Sequence, residues 1–336
     1  MNMRNPFLHL VCLAAACGGA PAESARRSSQ TDLVVANGEE LNGEELNGEE
    51  LNGTALGSRL ASVSLSGVVL SDGTALDTAW LEGTVFHGTA GAAQFGGADF
   101  DRAHFFATSD TGVTVELRVR GITALAPPDD DVWTYGVQFR SDAGWVPLCG
   151  GQNDDNQFQF ATGLFGNDQG GGVKAIPVSG AWDGRRGVPG AGGKIADSGV
   201  FTFGCMGIGA IAKCVYPIGY KPWKTVGGVL LDRHHQACVR LIRADFCGDG
   251  TPNTKAGNRV NVYDGVGVQQ DTKLWLIEAE WDENGARCFN PLNRSHALLA
   301  PCFNDRALAA CGAPIDFYLG ALLMDETPPL SSLSLF

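Results

Sequence analysis

The chain predicts an α+β fold: a mainly antiparallel β domain with a few short helices, stapled by disulfides and preceded by a disordered stalk and a short β-helical repeat segment. Three observations predict it. Apolar and polar residues alternate with period two in several segments beyond residue 107. The cysteines downstream of residue 17 number eight, an even set. Strand-like and helix-like segments come in blocks and not in strict alternation, which disfavours a parallel sheet built from repeated crossover units.

Residues 1–16 have the pattern of a signal peptide: Arg4 at the charged start, an apolar stretch from Phe7 to Ala16, and small residues before Cys17. "LAAAC" followed by two glycines resembles a bacterial lipobox, with Cys17 as the lipid-carrying first residue of the mature chain. Ala14 stands where that pattern prefers Leu, which leaves ordinary cleavage and secretion as the alternative. Residues 17–51 are expected to be a lipid-anchored linker and stalk, small and polar at first, then "NGEEL" three times.

An apolar residue then recurs almost every fifth position: Leu65, Leu70, Leu76, Leu81, Phe86, Phe95, Phe100 and Phe105. This spacing resembles pentapeptide repeats, in which a large central residue points into a square β-helix and a small residue precedes it by two. From Thr54 to Ala103 the small-residue position is mostly kept. In the first three copies it holds Glu39, Glu44 and Glu49, whose burial would be prohibitively costly. Residues 37–51 are therefore expected to be solvated, and 52–106 to form short β-helical coils or an irregular β stack; the plain alternative is a low-complexity spacer.

Residues 107–325 are expected to be the folded domain, with 326–336 as a tail. "VTVELRV", "VWTYGVQF" and "GWVPLCG" predict three strands joined by turns. Residues 163–193 are glycine-rich loops with a short strand at "KAIPV". "GVFTF" predicts a strand, "GAIAKCV" a short helix, and "DRHHQACVRLIRADF" a longer helix with Asp232 as its N-cap. "NRVNVYD", "LWLIEAEWD" and "ARCFN" predict strands, the last two joined through "ENG", and "NDRALAAC" a short helix.

A net charge of −13 argues against nucleic acid or an anionic membrane surface as the main partner, since both require a basic face. Six of the acids lie in 37–51. No apolar run beyond the leader is long enough for a membrane helix. The membrane contact expected is the anchor at Cys17, in the cell envelope and most naturally the outer membrane.

Export also governs the cysteines. Cys149, Cys205, Cys214, Cys238, Cys247, Cys288, Cys302 and Cys311 are expected to form four disulfides, with partners that sequence cannot choose. Cys238 and Cys247 are nine apart; on one continuous helix they would be about 13.5 Å apart along the axis. A disulfide needs Cα atoms within about 7 Å, so each should tie the helix to another element. The pairs Cys205/Cys214 and Cys302/Cys311 have the same offset and are expected to cross likewise. Each long-range bridge is expected to contribute on the order of 3 to 4 kcal/mol.

Other constellations are weighed and set aside. Gly207-x-Gly209-x-x-Ala212 after a strand, with Asp232 further on, imitates a dinucleotide fingerprint, yet two cysteines sit inside it. "GVPGAGGKI" echoes a phosphate loop with wrong glycine spacing and Ile195 where a hydroxyl is needed. His234, His235, Cys238 and Cys247 could form a zinc or Cys/His site only by breaking the even cysteine count. Asp129, Asp130, Asp131, Asp154 and Asp155 are expected to be solvated turn carboxylates. Trp133, Trp145, Trp182, Trp223, Trp275 and Trp281 are expected in the core more than on a sugar platform. No G-x-S-x-G elbow is present, and no cofactor, metal or catalytic residue is expected.

"FTFGCMGIGAIAKC", "GYKPWK", "HHQACVRLIRADFCGDGTPNTKAGNRVNVYDG" and "EAEWDENGARC" together resemble the ADYC-domain family over about residues 107–325. The family motif stands here as Ala244, Asp245, Phe246 and Cys247, with Phe in place of Tyr. The resemblance implies an exported bacterial protein, often a lipoprotein, of unassigned activity. Two functions are carried forward: a non-enzymatic surface module that binds a protein or polysaccharide, and an extracytoplasmic hydrolase of cell-wall or extracellular polymers with the glycine-rich loops as its cleft.

Overall fold

The computed structural model describes residues 33–34, 52, 54, 60–109, 111–149, 173–207, 209–254, 259–270, 276–290, 302, 308–312, 317 and 320–327. The leader, Cys17, the NGEEL segment, Asp154, Asp155, Trp275, residues 163–172 and the chain beyond 327 lie outside the described residues.

In chain order the strands are β1 (Leu33–Val34), β2 (Leu60–Ser64), β3 (Thr78–Glu82), β4 (Val85–Ala90), β5 (Ala93–Gly96), β6 (His104–Ser109), β7 (Thr114–Ala124), β8 (Trp133–Ser141), β9 (Gly144–Pro147), β10 (Ala175–Ser179), β11 (Ala181–Trp182), β12 (Lys194–Ile195), β13 (Val200–Cys205), β14 (Thr225–Val226), β15 (Val229–Leu230), β16 (Arg259–Asp264), β17 (Leu276–Asp282), β18 (Gly285–Phe289) and β19 (Leu323–Thr327). Two helices, α1 (Ala210–Val215) and α2 (Asp232–Arg243), lie between β13 and β16. The sequence-predicted strands and both helices of 107–289 are present, and every strand pairing among the described residues is antiparallel.

The largest sheet runs β10-β13-β2-β6-β7-β8-β9, and β10 also meets β8 at Ala175 and Tyr135, so six strands close into a barrel-like ring. Alternation explains its wall. On β7, Leu117 and Val119 are buried inside, whereas Glu116, Arg118 and Arg120 project outward. On β6, Phe105 and Ala107 point in, and His104 and Phe106 point out.

The interior is aromatic, and its central ring comes from the repeat segment. Phe86 on β4 lies 4.9–6.3 Å from Phe100, Phe105, Tyr135, Phe201 and Phe203. Tyr135 donates its hydroxyl to the Thr84 carbonyl at 2.8 Å, which fixes the β3-β4-β5 sheet over the ring.

This differs from the expected organisation in three ways. The five-residue spacing does bury Leu65, Leu70, Leu76, Phe86, Phe100 and Phe105, but the chain runs in antiparallel strands and turns, the irregular β alternative, and not in β-helical coils. Residues 106 and 107 are no boundary, because β6 spans them. Leu33–Val34, expected within the tether, pairs with β16, and β19 continues past 325 to Thr327. Periodicity alone could not separate a coil from a meander, since both bury every fifth residue when turns recur at that spacing.

The second layer is a sheet of order β1-β16-β19-β17-β18. Helices α1 and α2 sit between it and the barrel: α1 packs on β13 and β10, α2 on α1 and β17. A second core joins Ile176 and Val178 from the barrel wall, Ala237, Leu241 and Ile242 from α2, and Val262, Trp281 and Leu323 from the sheet.

Candidate functional site

The motif residues form the corner where α2 ends. The helix stops at Arg243, and Ala244 caps it in the left-handed region (φ 50°, ψ 42°), its N–H bonding back to Arg240 and Leu241 carbonyls. The longer helix expected through Phe246 is therefore not formed, and Cys247 lies beyond it. The glycines after Cys247, which the sequence suggests as the end of that helix, have a different role. Gly248 and Gly250 have φ of +63° and +81° and admit close backbone contacts: a Cβ would lie 1.7 Å from the Asn284 carbonyl oxygen at the first and 2.2 Å from that of Arg185 at the second.

Asp245 is fully buried. One carboxylate oxygen accepts the Asp249 N–H at 3.0 Å; the other accepts the Gly250 N–H at 3.0 Å and the Arg240 guanidinium. Arg240 also donates to the carbonyls of Ala191, Gly190 and Glu283. Gln236 donates to Gly192 and accepts from the Lys194 N–H. The stretch from Gly190 to Lys194, within the described part of the glycine-rich loops, is thus docked on the polar side of α2. Asp249 accepts the Thr251 N–H. The two acids flanking Cys247 satisfy donors of the turn, and Asp245 also neutralises a buried cation.

All eight cysteines are paired: Cys149–Cys205, Cys214–Cys238, Cys247–Cys302 and Cys288–Cys311. None of the three pairs of cysteines nine apart is joined. Cys214–Cys238 ties α1 to α2, and Cys149–Cys205 fastens the end of the β8-β9 hairpin to β13. Cys247 is half-buried, and the Cys302 N–H donates to its sulfur at 3.3 Å.

Phe246 packs between Trp281 and Phe289, with centroids 5.0 and 4.7 Å away. Together with Cys247, Cys302, Leu308, Asp282 and Arg287 it lines a cleft of about 90 Å³, well below the roughly 300–1,000 Å³ of typical ligand sites. Asp282 is paired with Arg287 at 3.2 Å and accepts the Asn284 N–H at 2.7 Å. The corner offers neither a thiolate nor an unpaired carboxylate, so it can seat a small group but has no equipped nucleophile.

The other sequence candidates are dispersed or neutralised. His235 is buried, its Nε2 3.0 Å from the Ile211 carbonyl, and burial pushes it down to about 4. His234 stacks on Tyr220 and is also lowered by burial. Cys238 is in a disulfide, so these residues assemble no zinc site. The strand-turn-helix of the glycine fingerprint exists as β13 and α1, but both neighbours of β13 are antiparallel and Asp232 begins a helix. Among the described residues there is no parallel crossover to cradle a dinucleotide.

Asp232 itself is the first residue of α2 and not its N-cap, which is Leu231, and it pairs with Lys194. Asp129 and Asp131, expected in solvent, both clamp the buried Lys221 amine. Burial would raise the Asp131 carboxyl, but hydrogen bonds from Lys221, Lys224 and Trp223 hold it below the usual range. Glu280 approaches Cys288 and Cys311 within 4.8 Å, but those sulfurs are bonded to each other and unavailable to a metal. Trp182 and Trp281 are core; Trp133, Trp145 and Trp223 are half-buried.

One group was missed. Lys213 on α1 is buried, its amine has no hydrogen-bond partner among the described residues, and burial pushes it down to about 7. The signal lay in "GAIAKCV", a lysine amid small and apolar residues on a short helix, and only the packing of that helix on both sides reveals its isolation.

A family model described as the ADYC domain matches residues 97–295, more than half of the chain. The chain belongs to the ADYC-domain family. No curated protein and no solved structure matches it. The ADYC match contains the 244–247 motif, the barrel strands β6 to β10 and β13, and both helices. It omits β2 and β19, yet β2 lies between β13 and β6 and β19 between β16 and β17. The folded unit is therefore wider than the family match on both sides.

Proposed function

We propose that this ADYC protein is an exported, lipid-anchored surface protein of the cell envelope and that its folded domain is a non-enzymatic binding module. The observation that carries this reading is the closure of all eight cysteines beyond Cys17 into four disulfides. Such density belongs to oxidising compartments, and it leaves no thiol in the domain for nucleophilic or metal chemistry. The carboxylates at 129 and 131 are likewise engaged in ion pairs. The attachment in this reading is Cys17 of the lipobox-like "LAAAC"; no described helix is long and apolar enough to cross a membrane. Secretion after ordinary cleavage, and a polymer hydrolase, are the competing outcomes of the tests. Radioactive palmitate should label the wild-type protein and not Cys17→Ser; an unlabelled wild type overturns the anchor. Incubation with peptidoglycan and polysaccharides should release no product, and cleavage would overturn the non-enzymatic reading.

A further inference from the structure

The outer face of the barrel carries a charge distribution opposite to that of the whole chain. Strand register places His104 beside Arg118, Arg118 beside Gln138, and Arg140 beside Trp145. Arg120 follows Arg118 two residues along β7, on the same face. The Arg118 guanidinium lies 4.3 Å from the centroid of the Trp145 ring, and that of Arg140 5.4 Å. Arg118 is held below its ordinary value by burial and then by repulsion from Arg120, Arg102 and Arg140, with Glu116 opposing the shift, so the four guanidiniums share one field.

Little on the same face neutralises them. Glu116 is hydrogen-bonded to His104 at 2.7 Å, and Asp101 lies 3.9 Å from Arg102 while also accepting the Gly121 N–H. Among the described residues neither Arg120 nor Arg140 makes an ion pair, and both are exposed. Phe106, 41% exposed, lies beside Glu116 on the same face.

We propose that this face is a docking site for a carboxylate-bearing polysaccharide, a uronate-type glycan. The proposal rests on the binding-module reading and names its ligand class. Charge complementarity selects an anionic partner on a protein whose net charge is −13. The cations of the cluster are all arginines, whose planar forks engage carboxylates through paired hydrogen bonds, whereas lysine would serve as a compact point charge. Neighbouring strands of the barrel wall present these side chains in a row that an extended chain can follow, and Phe106 offers an aromatic surface to the C–H face of a sugar ring.

The test measures binding of the purified full-length protein, at low ionic strength, to polygalacturonate, its methyl ester, dextran and phosphatidylglycerol vesicles. The variants are Arg120→Ala/Arg140→Ala and Arg120→Lys/Arg140→Lys, with circular dichroism as the folding control. Polygalacturonate should bind while the methyl ester and dextran do not. The alanine pair should weaken binding at least about tenfold, the size expected from one charged hydrogen bond, and the lysine pair should restore only part. Absence of polygalacturonate binding, equal binding by the alanine pair, or binding to vesicles in its place overturns the proposal. Cleavage of the polymer, read as new reducing ends, would overturn the non-enzymatic reading and leave the site standing.

Discussion

Replacing Lys213 by methionine should stabilise the protein strongly near neutral pH and hardly at all in alkali. The side chain is 5% exposed, and its amine has no hydrogen-bond partner among the described residues. Folding lowers the amine from 10.5 to about 7, so above 10.5 both states hold it neutral and burial carries no ionisation penalty. As pH falls from 10.5 towards 7 the unfolded chain takes up a proton that the folded chain refuses, and stability declines; below 7 both are charged and the penalty is constant. At 1.36 kcal/mol per pH unit the penalty is about 4 kcal/mol at pH 7 and about 1 kcal/mol at pH 10. Methionine has similar length and no charge, so Lys213→Met should recover most of that difference. Urea unfolding of both proteins at pH 7, 8, 9 and 10, disulfides intact, gives the difference directly. A difference that does not shrink with rising pH, or a variant less stable than wild type at pH 7, would refute the reasoning.

His235 should govern part of the acid limb of stability. Its folded value of about 4 lies below the ordinary 6.5 because of burial, so its contribution is complete above 6.5 and about 3 kcal/mol is lost as pH falls towards 4. The stability difference between wild type and His235→Gln should vary over that window, and a flat difference would contradict the burial argument. Asp245→Asn leaves Arg240 charged in a fully buried site and should cost about 3–5 kcal/mol by urea unfolding; a loss below about 1 kcal/mol would mean the pair does not hold the corner. Under limiting reductant, alkylation and mass spectrometry should find Cys247 and Cys302 labelled before Cys149 and Cys205, since the first pair lines an open cleft and the second is wholly buried. Earlier labelling of Cys149 would reverse that accessibility order.

Much of the ADYC domain was legible because its signals are local. Alternation marked β7 and β8, and the turn at Asn284 and Gly285 marked the β17-β18 hairpin. The offset of nine residues correctly kept Cys238 and Cys247 apart, although the helix assumed to separate them ends at Arg243. Its stop was missed because an alanine, and not a glycine, takes the left-handed cap; glycine usually advertises that position.

By itself the sequence determined the class of fold, most strand positions, the even set of cysteines and the family motif, all of which depend on residue type and short spacing. Only the tertiary structure decided which cysteines meet, that Phe86 from the repeat segment fills the barrel, and that Asp245 neutralises Arg240. It also decided that four arginines, drawn from the turn before β6 and from β7 and β8, stand together on an acidic protein. The physical reason is common to these cases. Burial, pairing and local field depend on which distant segments the sheet register brings into contact, and neither composition nor periodicity carries that register.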